Sequence, residues 1–180
     1  MRNLLHLFFF LFILVGCSTQ TFDNEDTIAL LNDNEIRAED VLKVYPLEED
    51  FIIRYLQDEI VIHEAKELGI KITDEEIEKL KNTIFPGYDT LEVHEFLEVI
   101  GNEEFIKYQA SRLGVSEEEY FDIWFNETHK RSAYIDEYIE QKFGEPPFDE
   151  FDEWAEKVEE HLDKLFNDYQ TNEKLIVLFR

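Results

Sequence analysis

Ile60-Val61-Ile62-His63-Glu64-Ala65-Lys66-Glu67-Leu68-Gly69-Ile70-Lys71-Ile72-Thr73-Asp74-Glu75-Glu76-Ile77 is the stretch that decides how this chain folds. Upstream of the glycine, Phe51, Ile52, Tyr55, Leu56, Ile60, Ala65 and Leu68 recur at helical spacing, which predicts a helix over residues 47–68. Gly69 is placed to end it, because a residue past a helix C-terminus commonly turns left-handed and glycine does so without strain. Thr73 and Glu76 then have the spacing of a capping box, in which hydroxyl and carboxylate each satisfy a free backbone N–H of the first turn. A second helix is therefore expected from Thr73 through Ile77 and Leu80 to about Ile84.

The same device returns downstream at Gly114-Val115-Ser116-Glu117-Glu118-Glu119. It opens a long helix with Phe121, Trp124, Phe125, Thr128, Ile135, Tyr138 and Ile139 along one side, running to Gly144. Between the two devices, Pro86-Gly87 forms a break, Asp89 is expected to cap a helix to Ile100, and Gly101-Asn102 separates that from a helix over Glu103–Leu113. Glu145-Pro146-Pro147 interrupts the chain again before a strongly amphipathic helix with Phe148, Phe151, Trp154, Ala155, Val158, Leu162, Leu165, Phe166 and Tyr169 on one side. Leu175-Ile176-Val177-Leu178-Phe179 is a continuous apolar run and reads as a buried strand.

Working back toward the N-terminus, Ala38 to Tyr45 suggests a short helix ended by Pro46. Thr27-Ile28-Ala29-Leu30-Leu31 reads as a strand stopped by the turn-forming Asn32-Asp33-Asn34. The expected fold class is mainly α: a multi-helix domain over residues 27–180 with a small two-stranded sheet. That sheet should pair residues 27–31 with 175–179, since each strand alone would expose an unpaired edge.

Before Thr27 the chain has a different character. Met1-Arg2-Asn3 precedes an apolar stretch from Leu4 to Val15 that closes in Leu14-Val15-Gly16-Cys17. The stretch is too short for a membrane span, which needs about 20 apolar residues, and has the length of a secretory h-region. This is the layout of a bacterial lipoprotein signal. Residues 1–16 are then the signal peptide, Cys17 is the lipidation site, and residues 17–26 are the lipidated cysteine with a polar tether. The expected location is extracytoplasmic, lipid-anchored to the cell membrane. Cys17 is the sole cysteine, so no internal disulfide is possible and the core must stand on apolar packing, which the 16 Phe, 8 Tyr and 2 Trp of the full chain make credible.

Forty-three acids against 17 Lys and Arg give a formal charge of −26, which argues against nucleic acid as a partner because phosphate contacts need cations. His63 with Glu67 and His94 with Glu98 resemble half of a zinc-protease helix, but that motif needs a second histidine four residues on, and glutamate stands there in both cases. There is no Gly-rich phosphate loop and no Gly-x-Ser-x-Gly elbow. No Asp or Glu stands within an apolar run that would mark it as buried. No catalytic residue, metal site or cofactor is therefore assigned, and the chain does not read as an enzyme. The nine acids between Glu145 and Asp163 read as the solvated face of the final helix.

Three segments, in order, carry a resemblance to a known family. Thr27 to Ile36 is similar to the opening strand, Asn turn and isoleucine of SurA/PrsA-type extracytoplasmic chaperones. Ile60 to Ile77 looks like that family's most typical stretch, and Leu113 to Tyr120 resembles its next landmark. The resemblance spans roughly residues 27–143, and the last helix and strand fit the segment that returns to the N-terminal strand. Such foldases usually carry a parvulin-type prolyl isomerase domain between the two halves of the chaperone domain. Here Gly144-Glu145-Pro146-Pro147 leads straight to the last helix, so the isomerase activity is not carried over. The resemblance implies a SurA N-terminal-like domain that holds unfolded or newly exported polypeptides, with docking to one envelope or sporulation protein as the alternative. The ligand-binding residues are left open: Tyr120, Phe121, Trp124 and Tyr138 are candidates to face a groove, although a stripe at helical spacing more often packs into a core.

Overall fold

The computed structural model describes residues 22–179. The expected signal peptide, the lipidation residue Cys17 and residues 18–21 of the tether lie outside the described residues. Strand β1 (Thr27–Leu31) turns back on itself through Asn32 and Asp33, whose φ values of 48° and 64° are both left-handed. A two-residue turn of that kind matches the right-handed twist of paired strands, and Asn and Asp tolerate it better than most residues. The chain therefore re-enters the sheet as β2 (Asn34–Arg37), with Leu31 opposite Asn34 and Thr27 opposite Arg37. On the other side β3 (Leu175–Val177) pairs with β1, Leu31 opposite Leu175 and Ala29 opposite Val177. The terminal strands pair as expected, and the hairpin adds a third strand to give the antiparallel order β2-β1-β3. Asn34-Glu35-Ile36-Arg37 hides its strand character because it buries one side chain only, Ile36.

β3 is shorter than the apolar run suggests and is not buried on both faces. Leu175 and Phe179 point into the core, whereas Ile176 and Leu178 are exposed, because an edge strand of a sheet covered on one side alternates. Residues 22–26, the last part of the expected tether, bind the body of the domain. Phe22 meets Phe179 edge-on at 5.9 Å, its carbonyl accepts from Arg112 at 3.0 Å, and the Asn24 amide donates to the Arg112 carbonyl at 2.9 Å.

Seven α-helices follow among the described residues: α1 (Ala38–Leu42), α2 (Glu49–Glu67), α3 (Asp74–Ile84), α4 (Val93–Ile100), α5 (Glu103–Leu113), α6 (Glu117–Phe143) and α7 (Phe151–Thr171). The helix stop and start at Gly69 and Thr73 form as read. Gly69 has φ 83°, and the Gly69 and Ile70 N–H groups close on the Lys66 and Ala65 carbonyls, a Schellman ending. The Thr73 hydroxyl accepts from the Glu76 N–H at 3.3 Å while the Glu76 carboxylate takes the Thr73 N–H at 2.7 Å. Ser116 likewise accepts from the Glu119 N–H at 3.1 Å to open α6. One start is misplaced by the sequence: α4 begins after Glu92, not at Asp89. The Pro86-Gly87 turn continues into a 3-10 turn over Tyr88–Thr90, so Asp89 falls inside a tight turn and the cap passes to Glu92, whose N–H is met by Glu95 at 3.2 Å.

α6 is the spine, roughly 40 Å long at 1.5 Å per residue. α3 and α5 pack on its first half, α2 runs along it, and α7 lies mainly against α2. Three cores result. The first joins the sheet to α1, α2 and the end of α7 through Ile28, Leu31, Val41, Ile52, Leu56 and Tyr169. The second is aromatic and sits on the first half of α6, with Phe96, Tyr120, Phe121 and Phe125 buried among Phe85, Ile106 and Ala110. The third is small, Val61, Ala65, Ile70 and Tyr138, and lies under the second half. None of the described helices is long and apolar enough to cross a membrane.

Candidate functional site

Residues 144–150, with Gly144 at φ 72° and the two prolines behind it, lead the chain out of α6 and let α7 return at a distance. The C-terminal part of α7 closes onto α2 and the sheet through Leu165, Phe166 and Tyr169. Its N-terminal part stands off and leaves a cleft of about 550 Å³. Ile60 and Val61 of α2, Ile135 and Ile139 of α6, and Trp154, Ala155, Val158 and Leu162 of α7 make its apolar lining. A second cavity of about 380 Å³, between the end of α1 and the middle of α6, shares Arg54, Asp58 and Ile135 with the first and extends it toward Trp124. Phe151 stacks on the lining residue Trp154 at 6.0 Å.

Where the two cavities meet lies a buried charge cluster. Arg131 is buried on α6, with its guanidinium over the Tyr55 ring at 4.1 Å and a hydrogen bond to the Tyr55 carbonyl at 3.2 Å. It pairs with Glu59 and stands 3.7 Å from the buried Asp58. Asp58 also faces Arg54 at 3.5 Å and accepts from the Tyr45 hydroxyl at 3.1 Å. Burial pushes the Asp58 carboxyl above its ordinary value, and the arginines and Tyr45 oppose that shift. Asp136 on the cavity wall is pushed the same way by loss of water alone. Three shielded atoms in this region, Thr128 Oγ1, Arg131 Nε and Trp154 Nε1, have no hydrogen-bond partner within the protein.

The charged cluster escapes sequence reading: no acid stands within an apolar run of the sequence, yet Asp58 is buried. A signal was present: Arg131 falls on the stripe Trp124, Thr128, Ile135, Tyr138 at the same alternation of three and four residues. Asp58 lies three residues after Tyr55 and two before Ile60, on the face that turns to α6. A charge at a stripe position implies a buried partner, since an unpaired buried charge is too costly to keep.

The four aromatic candidates divide. Tyr120 and Phe121 are buried in the aromatic core, with the Tyr120 hydroxyl donating to the Leu42 carbonyl at 2.8 Å. Tyr138 is buried with its hydroxyl on His161 Nε2 at 2.8 Å. Trp124 alone of the four lines the cavity system.

The histidines stand apart from one another. His63 bonds the Asn32 side chain at 2.9 Å, and its neighbour Glu64 accepts from the Tyr169 hydroxyl at 2.6 Å. His94 and Glu98 are both exposed. His129 is buried and bonded to the Phe125 carbonyl at 2.7 Å, with its pKa lowered by burial. Among the described residues no three His, Cys, Asp or Glu side chains converge as metal ligands.

The cleft has an apolar floor, an aromatic pair beside it and polar atoms along its walls, the general make-up of a ligand pocket. Comparison of the chain with family models, with curated proteins and with solved structures finds no match in any of the three.

Proposed function

We propose that this protein is a membrane-tethered, non-catalytic chaperone-like lipoprotein that holds unfolded or newly exported polypeptides in the groove between α2, α6 and α7. The observation that carries the reading is the apolar cleft of about 550 Å³ continuing past Asp58 toward Trp124, with Phe151 stacked on its lining residue Trp154. A groove of this kind takes side chains in succession from an extended chain, which advances about 3.3 Å per residue. The three-segment resemblance to extracytoplasmic chaperones supports the same job. The address rests on the sequence around Cys17, with attachment supplied by lipid and not by the acidic domain, which anionic headgroups repel.

The fragment 18–180 contains every described residue and suits an aggregation assay with a denatured secreted client. Suppression at several-fold molar excess is the expected result, and its absence would remove the chaperone reading. Prolyl isomerisation on a proline peptide should stay at background. Changing Cys17→Ser should release the full chain from the membrane fraction. A pull-down that returns one stoichiometric envelope protein, in place of many substoichiometric clients, would favour the docking alternative.

A further inference from the structure

We infer that the groove selects polypeptide segments in which a large apolar side chain is flanked by lysine or arginine. This rests on the groove being a polypeptide site and adds the class of segment it prefers. The charges that line the groove do not balance. Arg54 and Arg131 are already engaged with Asp58 and Glu59 at the waist between the two cavities. What remains on the walls is Glu159 and Asp163 on α7 and Asp136 on α6, and no ion pair among the described residues reaches any of the three. These acids flank the apolar floor made by Ile135, Ile139, Val158 and Leu162.

Asp136 gives a second line of support. It is exposed at the cavity edge, where partial loss of water raises its carboxyl pKa and no ion pair among the described residues reaches it. A lysine or arginine from a ligand would supply the missing charge. The Phe151–Trp154 stack at the lip offers the same ligand an aromatic face, to which cations are attracted within about 6 Å. An acidic segment meets the opposite situation, facing three unpaired carboxylates on a chain of formal charge −26. Apolar floor and anionic walls together call for one occupant, an extended cationic and apolar segment.

The test uses the full chain in a neutral detergent and three short labelled peptides sharing one Phe- and Leu-containing centre, flanked by Lys, Gln or Glu. Binding is read by fluorescence polarisation. The Lys-flanked peptide should bind about tenfold more tightly than the Gln-flanked one at low salt, and the Glu-flanked one most weakly. The Lys advantage should fall to about twofold at about 0.5 M NaCl, because exposed pairs are screened. A variant carrying Asp136→Asn, Glu159→Gln and Asp163→Asn should lose the Lys preference and keep its affinity for the Gln-flanked peptide. Ala155→Trp, which fills the cleft, should weaken all three peptides. Equal binding of Lys- and Gln-flanked peptides, or a Lys preference that survives in the triple variant, would overturn the charge selectivity and leave the groove reading standing. Binding of the Gln-flanked peptide that is unaffected by Ala155→Trp would overturn the groove itself.

Discussion

The two halves of α6 carry the same kind of apolar stripe and end in different environments. In the first half the face carrying Phe121, Phe125 and His129 is enclosed: Phe121 stacks on Phe125 at 5.2 Å, Phe96 meets both edge-on, and Phe85 and Tyr88 close the far side. From Ile135 onward the stripe faces α2 and a receding α7, and the cleft opens. The difference comes from the neighbours and not from the helix. Where α3, α4 and α5 converge the stripe becomes core, and where α2 and α7 flank it Tyr138 stays buried while Ile135 and Ile139 line the groove. Asp58 and Arg131 sit at the waist between the two, where packing is close enough to exclude water and open enough to tolerate charge.

The largest expected effect tests the enclosed half. Phe125→Ala should cost about 3–5 kcal/mol of stability in urea unfolding, since the ring is buried and its neighbours leave little room to collapse. A cost below about 1 kcal/mol would mean that the aromatic core is as open as the groove.

Next is the waist. Arg131→Met should cost about 3 kcal/mol at neutral pH by leaving Asp58 and Glu59 without their shared cation. The pH dependence has a definite sign. Asp58 in the folded protein already titrates above its unfolded value of 3.8, and loss of Arg131 removes a group that was holding it down. The folded variant therefore takes up a proton at higher pH than the unfolded chain, so its deficit against wild type should shrink as pH falls from 7 toward 4.5. A deficit independent of pH in that window would mean that Asp58 is not the buried anion.

The groove should respond more weakly in stability and more strongly in binding. Trp154→Ala is expected to cost about 1–2 kcal/mol, below the core range, because the indole is half-buried beside open space. Under the proposed chaperone role the same change should lower suppression of client aggregation. Unchanged suppression would detach the lip from the function.

The smallest effects lie at the two helix starts that bracket the comparison. Ser116→Ala should cost about 1 kcal/mol through loss of the bond to the Glu119 N–H, whereas Glu150→Ala at the start of α7 should be close to neutral, since Glu150 makes no side-chain cap. Equal costs, read from thermal melts, would show that the two starts are equally ordered.

Much of this architecture is legible in the chain because its punctuation is local. Gly69, Thr73 with Glu76, Gly114 and Ser116 each act within a few residues, through a left-handed backbone or a bond to a nearby N–H, so the helix boundaries follow from spacing. Asn32-Asp33-Asn34 announces a turn for the same reason. Asp89 is a near miss of this kind, a good cap residue taken into a 3-10 turn by the preceding Pro86-Gly87. β2 is missed because one buried isoleucine cannot be told from a loop until its partner strand is known.

By itself, the sequence determined the helical class, most helix ends and the turn after β1. Tertiary structure alone decided which part of the α6 stripe became core, which part stayed a groove, and that Arg131 would meet Glu59 across 72 residues of chain. Caps, turns and stops are settled by hydrogen bonds and backbone angles within one helical turn. Enclosure and burial of charge depend on how many helices reach the same place, and that is settled only when distant segments pack.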